Sequence, residues 1–509
     1  MRKIFILITT VIIGLSMVKC DDPFENQVFS AYEDQPISLW LNSRPEYSEW
    51  VKLLKKADLY NALNVGTKFT CFVADNNAVA AYLNNNGYQS VEEMDDEDAR
   101  YLMQFHIIPD VAYESVSFLG KLEDKTLSGD NLTVKAEEGG INAYYINNYA
   151  RIIVKDQEAI NGTLHKIDKV LNPVVETVWD LINNDRYSIF RDAIKECGLQ
   201  ERLNQKERYF GETAIRDYKT VFVVSDSIFA ENDIHTLEQL KAIYPDVKTG
   251  SDSSAFYKYI AYHVIPSFSD FTDLGTINKD AVDKVKNVPT FAPNELISIA
   301  DIKGTLVFNR TADKPVHLLT GKYDMLANNG FVHEIDGLLP VSPAEAASVF
   351  WELTDYDAFK ILPDYKKWSS KLDGNKYSID RENVVGIRWK TVPDDDNAVR
   401  YYLRSLQWFQ DDDAVTMSLG NVGWAEFDMP VIAKGKYKVS IKYLGYNARG
   451  TGRFYFDGMP FGGDFAFTSN YSKDLGEITF PEQTSHVFKI VVVKKGDMEI
   501  DQFIFKPVK

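Results

Sequence analysis

The sequence predicts a multidomain chain: two α/β (α+β) modules of one kind, then an all-β sandwich of jelly-roll type. Three observations carry this. An eleven-residue stretch, Asn161-Gly162-Thr163-Leu164-His165-Lys166-Ile167-Asp168-Lys169-Val170-Leu171, returns as Asn329-Gly330-Phe331-Val332-His333-Glu334-Ile335-Asp336-Gly337-Leu338-Leu339, with six of eleven positions identical. A repeat of so long a period marks a duplicated domain, not a solenoid turn. Ahead of each copy, helical and strand periodicities alternate. Beyond Val384 the pattern changes to nine short alternating runs between Gly and Asp turns, which implies a sandwich.

Length and composition agree. A chain of 509 residues holds about three domains. Hydrophobic residues are 45% and charged residues 26%, ordinary for folded protein. The 28 Tyr and 30 Phe suit β-rich modules. A net charge of −18 argues against a nucleic-acid partner, because phosphate neutralisation needs clustered Lys and Arg. It offers no general attraction to anionic lipid.

The chain opens with Arg2 and Lys3, then an apolar run from Ile4 to Val18, too short to span a bilayer as a helix. The run ends at Cys20, followed by Asp21 and Asp22. Residues 1–20 resemble a bacterial lipoprotein signal peptide, with Met17 and Lys19 where a Leu and a small residue are usual. That resemblance implies cleavage before Cys20 and its lipidation, and two acyl chains suffice for stable anchoring. The acidic pair resembles the export tag of surface lipoproteins in Bacteroidetes-type bacteria. It implies a lipid-anchored protein on the extracellular side of the outer membrane. Residues 21–33 are polar and read as a tether.

Residues 34–173 form the first module. Its opening, Ser38 to Ala62, is amphipathic near helical spacing, with Leu39, Trp40, Trp50, Leu53 and Leu54 apolar. Thr70-Cys71-Phe72-Val73-Ala74-Asp75 reads as a strand, a polar turn and a helix cap. Its counterpart is Thr220-Val221-Phe222-Val223-Val224-Ser225 in the second module, residues 174–342. Phe105-His106-Ile107-Ile108-Pro109 is matched by Tyr262-His263-Val264-Ile265-Pro266. Asn-Gly at the start of the opening repeat reads as a tight turn, since both residues accept positive φ, and the alternation after it reads as a closing strand. The second module opens with Val175, Val178, Trp179 and Ile182 at helical spacing, and residues 205–217 and 245–255 read as polar loops.

These three motifs, in this order and twice over, resemble the fasciclin (FAS1) domain. The copies are offset by 150, 157 and 168 residues at the three motifs, so the second has gained residues in loops. The resemblance implies a compact α/β wedge in each copy and a role in adhesion. Relatives often carry Ala-Pro-Thr where this chain has Val73-Ala74-Asp75 and Val223-Val224-Ser225.

Residues 343–509 are expected to be a connector and the sandwich. The segments Gly435 to Tyr443, Arg453 to Gly458 and Ile500 to Phe505 resemble the jelly-roll of galactose-binding-type carbohydrate-binding modules. Trp389 and Trp408 fall inside expected strands and read as core. Trp424, Tyr446 and Tyr471 fall in or beside turns and are the candidate ligand-binding residues, since an exposed ring can stack on the C–H face of a sugar.

Catalytic signals are absent from the sequence. It has no Gly-x-Ser-x-Gly elbow, phosphate loop or dinucleotide glycine fingerprint. His106, His165, His263 and His333 fall at paired positions and read as structural, each satisfying buried backbone groups. His165 and Asp168 lie on opposite strand faces, so they are no local pair. The runs Asp394-Asp395-Asp396 and Asp411-Asp412-Asp413 offer oxygen ligands but lack a calcium loop's interleaving, and read as solvated turns. No metal or cofactor is expected. With Cys20 in the targeting region, Cys71 to Cys197 is the one possible disulfide, and two buried free thiols are expected. The function expected is cell-surface binding or adhesion without catalysis, toward an extracellular protein or glycan. The alternative is an accessory glycan-capture lipoprotein of an outer-membrane polysaccharide uptake system.

Overall fold

The computed structural model describes residues 35–508 except 119, 123, 137–143, 148, 212, 246–253, 382–383, 407, 447–448 and 469–470. Cys20 and the expected signal and tether lie outside the described residues. The chain divides into two compact units, Met1–Pro173 and Val174–Lys509.

The first unit is built on a parallel pair. Phe69–Ala74 runs beside Gly162–Ile167, with Phe72 opposite His165. Ile107–Pro109 flanks the pair on one side and Ala150–Ala159 on the other, within a seven-stranded sheet. All six residues of Phe69–Ala74 are buried, as a central strand requires. Helices Ile37–Asn42, Ser48–Lys56, Asn76–Asn85 and Asp96–Phe105 cover the core. The first of them buries Ile37, Trp40 and Leu41, spaced three and four apart, so Leu39 turns outward and is 43% exposed. Asp75 caps Asn76–Asn85 by accepting from the Ala78 N–H at 3.1 Å.

The second unit repeats the arrangement. Lys219–Val223 runs parallel to Gly330–Glu334, with Phe222 opposite His333. Val264–Ile265 flanks it as Ile107–Pro109 does in the first unit. Val175, just ahead of the Thr177 cap, is 65% exposed and outside the helix Val178–Ile182. Residues 205–217, expected as a loop, instead form a hairpin of Glu207–Phe210 and Thr213–Arg216. Residues 246–253 of the other expected loop lie outside the described residues.

A separate four-stranded sheet of Val285–Pro289, Leu296–Ile302, Thr305–Phe308 and Val316–His317 completes the repeat, and beyond it the second unit forms two sheets around one aromatic core. One contains Lys376–Ser378, Val399–Leu403, Asp413–Met417, Met498–Pro507, Gly435–Leu444 and Ser472–Phe480, in that spatial order, with Val349–Glu352 also paired to Met498–Pro507. The other contains Ile387–Lys390, Trp424–Asp428, Val487–Lys494, Thr451–Phe456 and Met459–Ala466. Phe488 and Phe503 meet across the gap with ring centroids 4.6 Å apart. Val349–Glu352, Lys376–Ser378 and Met459–Ala466 are absent from the sequence reading. The first two are very short, and the third is interrupted by Gly462-Gly463 and largely exposed, so none shows clean alternation.

The segment joining the repeat to the sandwich is pinned from both sides. Arg310 grips Glu345 with two bonds of 2.9 and 2.8 Å, and the Asp283 carboxylate accepts from the Ser348 N–H and hydroxyl. Gln483 of the sandwich accepts from the Ala344 N–H at 3.0 Å and donates to the Asn294 carbonyl at 2.9 Å. Arg208 reaches Asp357 at 2.6 Å.

Candidate binding surfaces

The repeated motif residues serve the backbone. Asn161 accepts from the Ile37 N–H at 2.8 Å and donates to the Leu63 and Val65 carbonyls at 2.8 and 2.9 Å. Asn329 does the same to Val178, Leu203 and Gln205, each at 2.8 Å. Asn-Gly at these positions implies a positive-φ turn. The structure gives each residue another reason. Neither Asn has positive φ, and a Cβ on Gly162 would lie 2.0 Å from the Phe69 carbonyl oxygen, on Gly330 1.6 Å from that of Lys219. Thr70 and Thr220 likewise tie the crossing loop, donating to Val111 and Ser267 carbonyls at 2.9 and 2.7 Å.

All four paired histidines are fully buried. His165 accepts at Nδ1 from the Asp156 N–H and donates at Nε2 to the Tyr113 carbonyl. His333 repeats this with Asp324 and Ser269. His106 donates at Nδ1 to Leu102 and accepts at Nε2 from the Leu171 N–H, which requires the neutral ring. Burial pulls the pKa of His106 and of His263 down to about 4 and lowers that of His165. His263 donates at Nδ1 to the Tyr259 carbonyl at 2.8 Å, while its Nε2 is buried with no hydrogen-bond partner among the described residues. Cys71 and Cys197 are free. Burial raises both thiols, Cys197 to about 12, so neither is a nucleophile at neutral pH.

One position separates the copies. Lys166 pairs with Asp75 at 2.9 Å. Its counterpart Glu334, wholly buried, takes two bonds from Arg186 at 2.9 and 2.7 Å and one from the Tyr187 hydroxyl at 3.0 Å.

The sandwich holds an acidic cluster the sequence reading misplaced. Asp411-Asp412-Asp413 is not a fully solvated turn. Asp413 is buried, accepting from the Tyr401 and Thr354 hydroxyls at 2.8 and 2.9 Å. Lys366 stands among Glu352, Asp355 and Asp411 at 3.0, 3.2 and 2.5 Å. Burial, then the Asp355 charge, pushes Glu352 up to about 7, and burial pushes Asp413 up to about 7. Burial works against the Lys366 ammonium, yet Asp355, Glu352 and Asp411 hold its pKa above the usual lysine range. The lysine supplies the counter-charge. Among the described residues, no set of three or more His, Cys, Asp or Glu side chains is arranged to hold a metal ion. Asp394 and Asp396 pair with Arg381 and are themselves largely exposed.

The three candidate aromatics divide between the sheets. Trp424 lies in the five-stranded sheet, half-buried under Lys489, whose ammonium is 4.3 Å from its ring and 2.9 Å from Glu426. Tyr446 and Tyr471 flank Gly435–Leu444 and Ser472–Phe480 of the other sheet. Those strands are antiparallel, with Lys442 opposite Ser472, so the two tyrosines share one end. They are 50% and 53% exposed. Trp408 joins them. It was expected within a strand, but Val399–Leu403 ends early and Trp408 lies in the loop that follows, stacked on Tyr471 at 4.6 Å and 28°. Asp411 and Asp412, both at positive φ, follow in the same loop before the next strand opens at Asp413. Trp389, also expected in the core, is 6% exposed.

A charged pair that the sequence reading missed holds this end. Glu499 is on the sheet's outer face but buried, because Arg449 and Lys376 close over it at 2.6 and 3.3 Å. Arg449 also lies 4.2 Å from the Tyr446 ring. The Arg449 Nε and Trp408 Nε1 atoms are buried and have no hydrogen-bond partner among the described residues. The surface therefore combines exposed rings with a guanidinium held against one of them, which suits a ligand with an apolar C–H face edged by polar groups.

A family model described as the fasciclin domain matches residues 45–173. Protein sll1483 of Synechocystis sp. is 30% identical over 128 residues, which are 25% of this chain and 67% of that protein. Human stabilin-1 is 34% identical over 117 residues, 20% of this chain, so the chain spans only 4% of stabilin-1. The solved FAS1 domain pair of the insect cell adhesion molecule fasciclin I has 18% identity and a TM-score of 0.25, over 58% of this chain and 96% of that one. A family 35 carbohydrate-binding module from Clostridium thermocellum has 13% identity and a TM-score of 0.18, over 26% of this chain and 99% of that one.

Proposed function

The chain belongs to the fasciclin-domain family, and from that premise we propose that it is a non-catalytic binding protein of the cell surface. In this reading residues 174–342 are a second fasciclin domain, and residues 343–509 carry a carbohydrate-binding type of sandwich. Cys20 carries the lipid that anchors the protein to the outer membrane, facing outward. The ligand is an extracellular protein or glycan. The observation that carries the reading is the sandwich end where Tyr446, set against Arg449, and Tyr471, stacked on Trp408, present exposed rings. The reading without catalysis is supported by three imidazoles spent at both nitrogens on the backbone, by a fourth that is fully buried, and by raised carboxylates already engaged with Lys366, Tyr401 and Thr354. The same surface supports the alternative, in which the protein captures glycan for an uptake system.

The test is a glycan array and a panel of extracellular matrix proteins, probed with the chain lacking its first 20 residues. A hit should weaken about tenfold in Tyr446→Ala and again in Tyr471→Ala, each ring contributing on the order of 1 kcal/mol. Binding unaffected by both changes would move the ligand away from the sandwich. Measurable turnover of a bound polysaccharide would end the non-catalytic reading.

A further inference from the structure

A groove of about 510 Å³ opens on the first unit. One side is the helix Asn76–Asn85, where Ala78, Ala81, Tyr82 and Asn85 recur at steps of three and four and so form one stripe. The other side is the chain leaving the closing strand, Asp168 to Val170 with Asn172, and Tyr149 stands at the rim, 44% exposed. We propose that this groove binds a neutral sugar residue of a glycan. The proposal rests on the reading of the chain as a surface binding protein and gives it a second site.

The chemistry of the lining selects the ligand. Its two opposite charges are already placed. Asp168 accepts from the Arg151 N–H at 2.8 Å, and Lys169 donates to the Tyr149 carbonyl at 3.4 Å, its ammonium 5.0 Å from the Tyr149 ring. Adjacent and opposite, they give no net preference for a charged ligand. What remains is two tyrosine rings and amides that donate and accept in equal measure. A pyranose has the matching surface, an apolar C–H face edged by hydroxyls. The volume falls within the usual range for small-molecule sites.

The duplication supplies an internal control. The His317 N–H donates to Asp336 at 2.7 Å as the Arg151 N–H does to Asp168, so Tyr149 corresponds to Pro315. Asp226 accepts from the Ile189 N–H as Asn76 does from the Glu49 N–H, so Ala78, Ala81, Tyr82 and Asn85 correspond to Ile228, Glu231, Asn232 and His235. Lys169 and Asn172 correspond to Gly337 and Pro340. The second copy keeps the histidines, the asparagine clamp, the glycine and, of the groove lining, the aspartate, but neither tyrosine, neither Asn85 nor Asn172, nor the lysine, and the larger Ile228 stands in place of Ala78. The fold therefore forms without these residues, and its stability does not account for them.

The experiment titrates the chain lacking its first 20 residues with cellobiose, maltose, lactose, mannobiose and chitobiose, read by saturation-transfer NMR and calorimetry. At least one should bind in the millimolar range. Tyr149→Ala should weaken it about tenfold. Ala81→Phe, an exposed position, should fill the groove and abolish binding while the circular dichroism spectrum is unchanged. Tyr446→Ala and Tyr471→Ala should leave this binding intact. The proposal falls if none of the five binds, or if binding survives both groove variants. Binding lost only in the Tyr446 and Tyr471 variants would overturn the groove while supporting the sandwich surface.

Discussion

Asn161 and Asn329 each complete three hydrogen bonds to the backbone that enters their module. Replacing one by Ala strands an N–H and two carbonyls in a dry interior, and each buried group left unpaired costs about 1–3 kcal/mol. Asn329→Ala should therefore lower unfolding free energy by roughly 3 kcal/mol in urea titration. A cost within about 0.5 kcal/mol would show that water replaces the amide. The motif was legible in the sequence as a repeat, but its purpose was not. Spacing identifies a turn signal, whereas the clamp runs from Asn161 to Ile37, far apart in the chain, and only the fold brings them together. The structural role expected of the histidines needed less. Each follows an apolar or aromatic residue in a strand or at a helix end, and a buried polar ring is expected to find hydrogen-bond partners.

At the scale of elements, alternation revealed the long strands, and the short or glycine-broken ones escaped. Gly435–Leu444 buries every second residue along most of its length and was plain in the sequence. Val349–Glu352 was not, and it brings Glu352 to the Lys366 cluster. That cluster makes a pH-dependent prediction. Glu352 and Asp413 have folded-state pKa values of about 7, above their unfolded values, so the folded sandwich binds more protons than the unfolded chain. The stability they contribute is full in acid and is lost as pH rises toward 7. Lys366→Met removes the cation that offsets this charge. It should cost roughly 3 kcal/mol at pH 8 and clearly less at pH 5, where the carboxyls are protonated. Equal costs at both pH values, measured by urea unfolding, would mean that Lys366 contributes packing alone.

For the whole molecule, the second repeat and the sandwich share a compact unit and a pinned connector. Scanning calorimetry should resolve two transitions, and Arg310→Ala should lower the temperature of one while leaving the other within a degree or so. Three separate transitions would mean that the connector transmits no stability. Function was the least legible level. Trp408 and Tyr471 meet from separate loops, as Arg449 meets Tyr446 in a third, and a groove lined by Ala78 and Ala81 has no motif. The duplication carries a hazard of its own, since two similar closing strands on one chain can each enter the wrong module during folding. The charge exchange at Lys166 and Glu334 opposes this. Glu334 placed in the first module would face Asp75, and Lys166 placed in the second would face Arg186, like charges in both cases. A mistaken swap thus repels itself twice, and each strand carries its own address.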